Sequence, residues 1–170
     1  MLSVAIAKSQ PAYTDAHMPD TLVVLKYTDD MRDRVFFFPS TDIKCTDNSS
    51  GKGFTLDCFI EKNLTIGDLK VDMGKLGGCC ENNSLIILFE DETKIKLTSY
   101  NDFNCKGNAW FKISEKNKEQ LATKKIKKVQ AMNGRSYESH TQELDVLDQD
   151  YFIRLNKMLE KKETYKYTEK

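Results

Sequence analysis

The chain has 170 residues, a length that can bury one sizeable core without support from a metal or a disulfide framework. Its 26 Lys and Arg balance its 26 Asp and Glu, so no net field draws it to nucleic acid or an anionic membrane, and charged recognition has to be local. A composition 39 % hydrophobic and 31 % charged, with no stretch near the roughly 18 apolar residues of a spanning helix, describes a soluble protein with a modest core.

Residues 1–20 carry Pro11, Pro19 and small polar residues without a sustained period, and read as a loose N-terminal arm. The opening MLSVAIAKSQPAYTDAH has only a short apolar run with no basic region before it, unlike a secretory signal. From Thr21 the pattern changes to short β-branched and aromatic runs divided by polar turns, and a single β-rich domain is expected over 21–163. TLVVLKY (21–27) and RVFFFP (34–39) form a hairpin in this reading, stopped by Pro39, which has no N–H to give to a ladder. DIKCTDNSSGKG (42–53) reads as a polar loop. FTLDCFI (54–60) then alternates, with Phe54, Leu56, Cys58 and Ile60 on one face.

LKVDM (69–73) alternates likewise, and the KLGGCCENN after it has the glycines a turn requires. SLIILFEDETKIKLTS (84–99) is a hairpin by pattern: an apolar strand, an acidic turn, and a strand with Ile95 and Leu97 inward. NAWFKI (108–113) puts Ala109, Phe111 and Ile113 on one face and Trp110 on the other, where it could lie beneath the closing helix. A short helix is expected near 115–123, with Ser114 as its N-cap and Glu115 in the first turn. Asn133-Gly134 reads as a two-residue hairpin turn. DQDYFIRLNKMLEKK spaces Tyr151, Phe152, Leu155, Met158 and Leu159 as a C-terminal helix near 149–162, and the tail 164–170 is expected to fray. The fold class is therefore α+β, mainly antiparallel β: one β-sandwich or curled sheet with helices at one end.

The segments IGDLKVDMG, LIILFEDETKIKLTS, WFKISEKNKEQLATKKIKKVQAMNGRSYE and YFIRLNKML together resemble small β-rich proteins of unknown function from Bacteroidetes and their phages. The likeness spans roughly the last 110 residues, and its motifs are structural. It departs from that pattern where Asp91-Glu92 stands for a turn glycine and Val129-Gln130 for an Ile-Arg pair. The resemblance implies the β-rich fold and carries no activity and no catalytic residues.

Devices of catalysis are missing from the sequence. There is no G-x-S-x-G elbow, no phosphate-binding glycine loop, and no C-x-x-C or H-x-x-x-H pair to preorganise zinc. Cys45, Cys58, Cys79, Cys80 and Cys105 are odd in number, and reduced thiols are the simpler reading. The adjacent Cys79 and Cys80 point apart in an extended segment and read as turn residues. His17 and His140 lie far from any cysteine in sequence, and the acids at Asp29-Asp30, Glu90 to Glu92 and Asp145 to Asp150 read as wet turns and helix caps. The expectation is a protein that is not an enzyme, with no cofactor, no metal, no membrane partner and no small-molecule substrate.

What is left is recognition. Lys124, Lys125, Lys127 and Lys128, with Arg135 near them in sequence and Trp110 and Tyr137 as aromatic partners, make the candidate interaction surface. The favoured reading is a non-enzymatic binding or structural module working through protein–protein contact or self-assembly, as a phage-encoded virion component or a host-protein inhibitor. The alternative is a nucleic-acid-binding protein using the 124–128 lysines, set against the plainer role of lysines that guard a strand edge. The expected location is intracellular or virion-associated.

Overall fold

The computed structural model describes residues 24–29, 34–39, 41–47, 49–161 and 165–167. The expected arm over 1–20 falls outside them. β1 (Val24–Asp29) and β2 (Arg34–Pro39) pair antiparallel, as their apolar runs suggest. β3 (Ile43–Thr46) follows, where a polar loop was expected, and lies along β4 (Gly53–Ile60). Ile43 and Cys45 alternate inward against β4, so only the turn after them is loop, closed by the Asp47 N–H on the Lys52 carbonyl at 2.8 Å. β2 and β3 share one edge of β4, since Phe37 pairs with Ile60 and Ile43 with Leu56. From Phe37 to Ile43 the chain advances six positions while β4 advances four, so β2 and β3 do not run as one continuous strand along it.

β5 (Ile66–Asp72) pairs with the other edge of β4, and β8 (Asn108–Phe111) with β5. β6 (Ser84–Phe89) and β7 (Lys94–Thr98) form the expected hairpin across Glu90–Thr93. β9 (Ile126–Met132) lies on the far edge of β6, and β10 (Ser139–Glu143) pairs with β9. β11 (Tyr165–Tyr167) runs parallel to β1, a short strand inside the tail 164–170 expected to fray, whose other residues fall outside the described ones. One sheet takes the order β11-β1-β2-β4-β5-β8 with β3 also on β4; the other runs β10-β9-β6-β7.

The inner faces meet in one continuous core. Phe54, Leu56, Cys58 and Ile60 of β4, Leu69 and Val71 of β5, and Ala109 and Phe111 of β8 come from one sheet; Leu85, Ile87 and Phe89 of β6 and Val129 and Ala131 of β9 come from the other. Burying each larger side chain stabilises the fold by about 1.5–3 kcal/mol. A one-residue slip in register would turn each of these rows to water, so the alternation fixes the pairing. The fold is α+β, mainly antiparallel β, and sandwich-like.

α1 (Glu115–Thr123) begins where Ser114 Oγ accepts the Asn117 N–H, and buries Leu121. The closing helix differs from the single span expected over 149–162: it is α2 (Val146–Gln149) and α3 (Tyr151–Glu160), broken at Asp150. Asp145 Oδ1 accepts the Leu147 and Asp148 N–H groups, each at 3.0 Å, and starts the earlier turn by itself. Asp150 instead binds Arg154 Nε at 2.8 Å. α3 packs on α1 and drives Tyr151, Phe152, Leu155 and Leu159 into the core that holds Ala109 and Phe111. Trp110 faces the other side of β8, so it is not beneath this helix as expected. The Tyr151 hydroxyl donates to the Thr41 carbonyl, tying the helix to the segment just before β3.

Candidate interaction surface

Three connections meet at one end of the sandwich: residues 74–83 before β6, 99–107 before β8, and 133–138 between β9 and β10. Asn133, fully buried, joins two of them. Its Nδ2 donates to the carbonyls of Leu76 and Cys79, both at 3.0 Å, and its Oδ1 accepts the N–H groups of Arg135 at 2.9 Å and Ser136 at 3.3 Å. The Gly134 N–H reaches Asn83 Oδ1 at 3.3 Å, and a Cβ on Gly134 would stand 2.3 Å from the carbonyl oxygens of Glu81 and Asn82. Asn133-Gly134 therefore opens a longer turn instead of making a two-residue one: β10 pairs with β9 only from Ser139 opposite Met132. Asn83 links the second pair of connections, through its N–H and Nδ2 to Ser99 Oγ at 3.0 and 3.2 Å.

Cys80 and Asn104 exchange both backbone hydrogen bonds, at 2.8 and 3.2 Å, in an isolated antiparallel bridge. The next pair outward, Cys79 and Cys105, then occupies a non-hydrogen-bonded site, where opposed side chains stand closest. Their Cα atoms are 3.8 Å apart and their sulfurs are bonded. This corrects the reading of all five cysteines as reduced: pairing depends on the fold, which sequence spacing does not reveal. Cys80 points the opposite way, is fully buried, and lies 3.6 Å from the Asn108 carbonyl.

The frame displays aromatic side chains. Phe103 is 46 % exposed and Tyr137 76 %, and the Arg135 guanidinium sits 4.8 Å from the Phe103 ring centroid. Tyr137 takes a left-handed φ of 59°, fixed by its N–H on the Asn133 carbonyl at 2.9 Å. At the base of the same loop Tyr100 is 58 % exposed, and its N–H bonds the Trp110 carbonyl at 3.0 Å. Phe103 escaped the sequence reading; its signal is a lone aromatic inside the polar turn NDFNCKGN, where no strand period can bury it.

The seven residues singled out from sequence are not one surface. Arg135 and Tyr137 follow β9, the four lysines lie at or before its start, and Trp110 is in the other sheet with Lys70 6.0 Å from its ring. Spanning β9 at about 3.4 Å per residue separates the two groups by roughly 20 Å. Three of the four lysines are also engaged. Lys124 binds Asp91 Oδ2 and Lys127 binds Glu92 Oε1, each at 2.6 Å, and Lys128 lies 3.3 Å from Glu143. The Lys124 and Thr93 hydrogen bonds hold the Asp91 carboxyl down to about 2, and Lys127 lowers Glu92 in the same way. The acidic β6–β7 turn and the basic stretch neutralise each other.

Reactive groups elsewhere are insulated. Burial pushes the Cys45 thiol up to about 12 and Cys58 well above the usual thiol range, the reverse of an activated nucleophile. His140 meets Gln142 Oε1 at 3.4 Å and the edge of Phe54, while His17 lies outside the described residues. Among the described residues no three His, Cys, Asp or Glu converge to hold a metal, and no helix is long and apolar enough to cross a membrane.

Asp57 stands apart: burial raises its carboxyl to about 6, opposed by the Cys58 N–H and by Lys70, its cross-strand partner, and assisted by Asp42. A folded-state value above the unfolded one favours the protonated form in the fold. Its stabilising effect is complete below about pH 4 and is lost as pH rises through about 6. Asp57→Asn keeps an acceptor for Cys58 and removes the charge, so it should stabilise the protein by about 1–2 kcal/mol at pH 7.5 and have little effect at pH 4. Urea titrations at both pH values check this; an equal effect at both would sink it.

No protein-family model matches the chain, no curated protein matches its sequence, and no solved structure matches it.

Proposed function

We propose that the protein is a non-enzymatic binding module that holds a protein partner through the loop end carrying Phe103, Arg135 and Tyr137. The supporting observation is the union of exposed aromatics and a stacked guanidinium with connections joined by the Cys79–Cys105 bond, Asn133 and Asn83. Tyr, Trp and Arg dominate binding energy at protein interfaces, and side chains held on a preorganised frame lose little entropy on docking. A virion component and an inhibitor of a host protein are the two forms this contact could serve. Pairing of Lys124, Lys127 and Lys128 with acids leaves the nucleic-acid alternative with less support.

Phe103→Ala combined with Tyr137→Ala tests the reading. Each truncation at a central contact costs on the order of 2 kcal/mol of binding, so the pair should weaken association about a hundredfold or more. Both positions are solvent-facing, and the melting temperature should hold. Sedimentation velocity and affinity capture from cells of the source organism would compare the variant with the parent. A parent that is monomeric and retains the same proteins as the variant would overturn the proposal.

A further inference from the structure

The Cys79–Cys105 bond joins two connections whose outer ends are fixed by other means. The stretch Ser99–Asn101 is held by the Ser99 N–H on Asn83, the Tyr100 N–H on Trp110, and Asn101 Oδ1 receiving the Trp110 N–H at 2.7 Å. Gly107 is held by its carbonyl, which accepts the Met73 N–H at 2.6 Å. Between these anchors, the tip Asp102–Lys106 is fastened to the other connection by the single Cys80–Asn104 bridge and the disulfide. Cys105 is exposed and Cys79 half-buried, so a thiol in solution can reach the bond. The remaining cysteines, Cys45, Cys58 and Cys80, are buried and out of reach. Neither cysteine packs in the two-sheet core.

We propose that the Cys79–Cys105 bond is a reversible redox clasp, which sets the order of the tip Asp102–Lys106 and so the position of Phe103. Its consequence for partner binding rests on the binding reading above, whereas the clasp itself does not. The reductant is a dithiol. One of its thiolates attacks the accessible Cys105 sulfur; a bond forms between them, the Cys79–Cys105 bond breaks, and Cys79 leaves as a thiolate that takes a proton. The second thiol, giving up its proton, then attacks its own partner sulfur in the mixed disulfide, and Cys105 departs and is protonated in turn. Two electrons pass to the protein, and the dithiol closes to a cyclic disulfide. Closed, the clasp holds Phe103 beside Arg135; open, the tip keeps the Cys80–Asn104 bridge and the Asn104 side-chain bond to the Asn108 carbonyl, and exchanges with solvent more readily.

The experiment treats the folded, oxidised protein with dithiothreitol, then labels with maleimide and weighs the intact chain. Two labels, on Cys79 and Cys105, are expected after reduction and none before it, with circular dichroism unchanged. Hydrogen exchange at Asp102–Lys106 should quicken about tenfold on reduction while the amides of β4, β6 and β9 keep their rates. Removal of the dithiothreitol and reoxidation by glutathione disulfide should restore the slow rates, and Cys79→Ser with Cys105→Ser should match the reduced state permanently. A bond that yields only when the whole protein unfolds would overturn the proposal, as would two labels with exchange at the tip unaltered. Neither readout involves a partner, so failure of the clasp and failure of the binding reading are separable: Phe103→Ala with Tyr137→Ala tests the latter under oxidising conditions alone.

Discussion

Asn133→Ala should lower the unfolding free energy by about 3 kcal/mol, within a range of roughly 2–4. The side chain is fully buried and holds backbone groups on both sides: its Nδ2 serves the carbonyls of Leu76 and Cys79, with that of Gly77 at 3.4 Å, and its Oδ1 serves the N–H groups of Arg135 and Ser136. Alanine leaves them in a space too enclosed for all to find water, and a buried polar group without a partner costs about 1–3 kcal/mol. For a chain of this size the melting temperature should fall by about 6–12 °C. Asn133→Asp gives an informative intermediate, since a carboxylate keeps the acceptor for Arg135 and Ser136 but has no N–H for Leu76 and Cys79. Urea unfolding monitored by Trp110 fluorescence measures all three proteins, and a loss under about 1 kcal/mol would mean that solvent substitutes for the amide.

Phe152→Ala should cost about 3–5 kcal/mol, the range for truncating a buried aromatic ring. Phe152 is 1 % exposed on α3, its ring meets that of Tyr151 edge to face with centroids 5.0 Å apart, and Leu155 lies one turn further on the same buried side. Because α3 packs on α1, the cavity would loosen both helices, and the amides of each should exchange faster than those of β6 and β9. Phe152→Leu retains most of the volume and should recover more than half of the loss. If alanine and leucine cost the same, the ring's packing is not what seats the helix.

The strands were most legible where alternation ran long. FTLDCFI and the β6–β7 hairpin each put an unbroken row of apolar residues on one face, and a period of two is hard to mistake over that length. β3 was missed because it offers only Ile43 and Cys45 inward, amid a polar stretch, and is a strand by virtue of the β4 edge beside it. Asn133-Gly134 misled for a related reason. The dipeptide favours a tight turn locally, but Leu76 and Cys79, more than fifty residues away, claim the amide and hold the backbone in a wider one. Arg135 and Tyr137 stand out in the sequence, but so do the lysines at the far end of β9, because proximity in sequence says nothing about direction along a strand. Phe103 and the Cys79–Cys105 pairing depend on which connections meet at one end of the sandwich, and that is a property of topology.

The parallel pairing of β11 with β1 bears on how the molecule is made. Tyr165–Tyr167 aligns with Leu25–Tyr27, so the neighbour of β1 on that flank is supplied by a segment made long after it. Until that segment is made β1 lacks this pairing, and an unpaired strand edge is a template for any stray extended peptide. Nascent chains halted before Tyr165 should therefore be the aggregation-prone form, and chaperones that shield open β-edges would matter most in that interval.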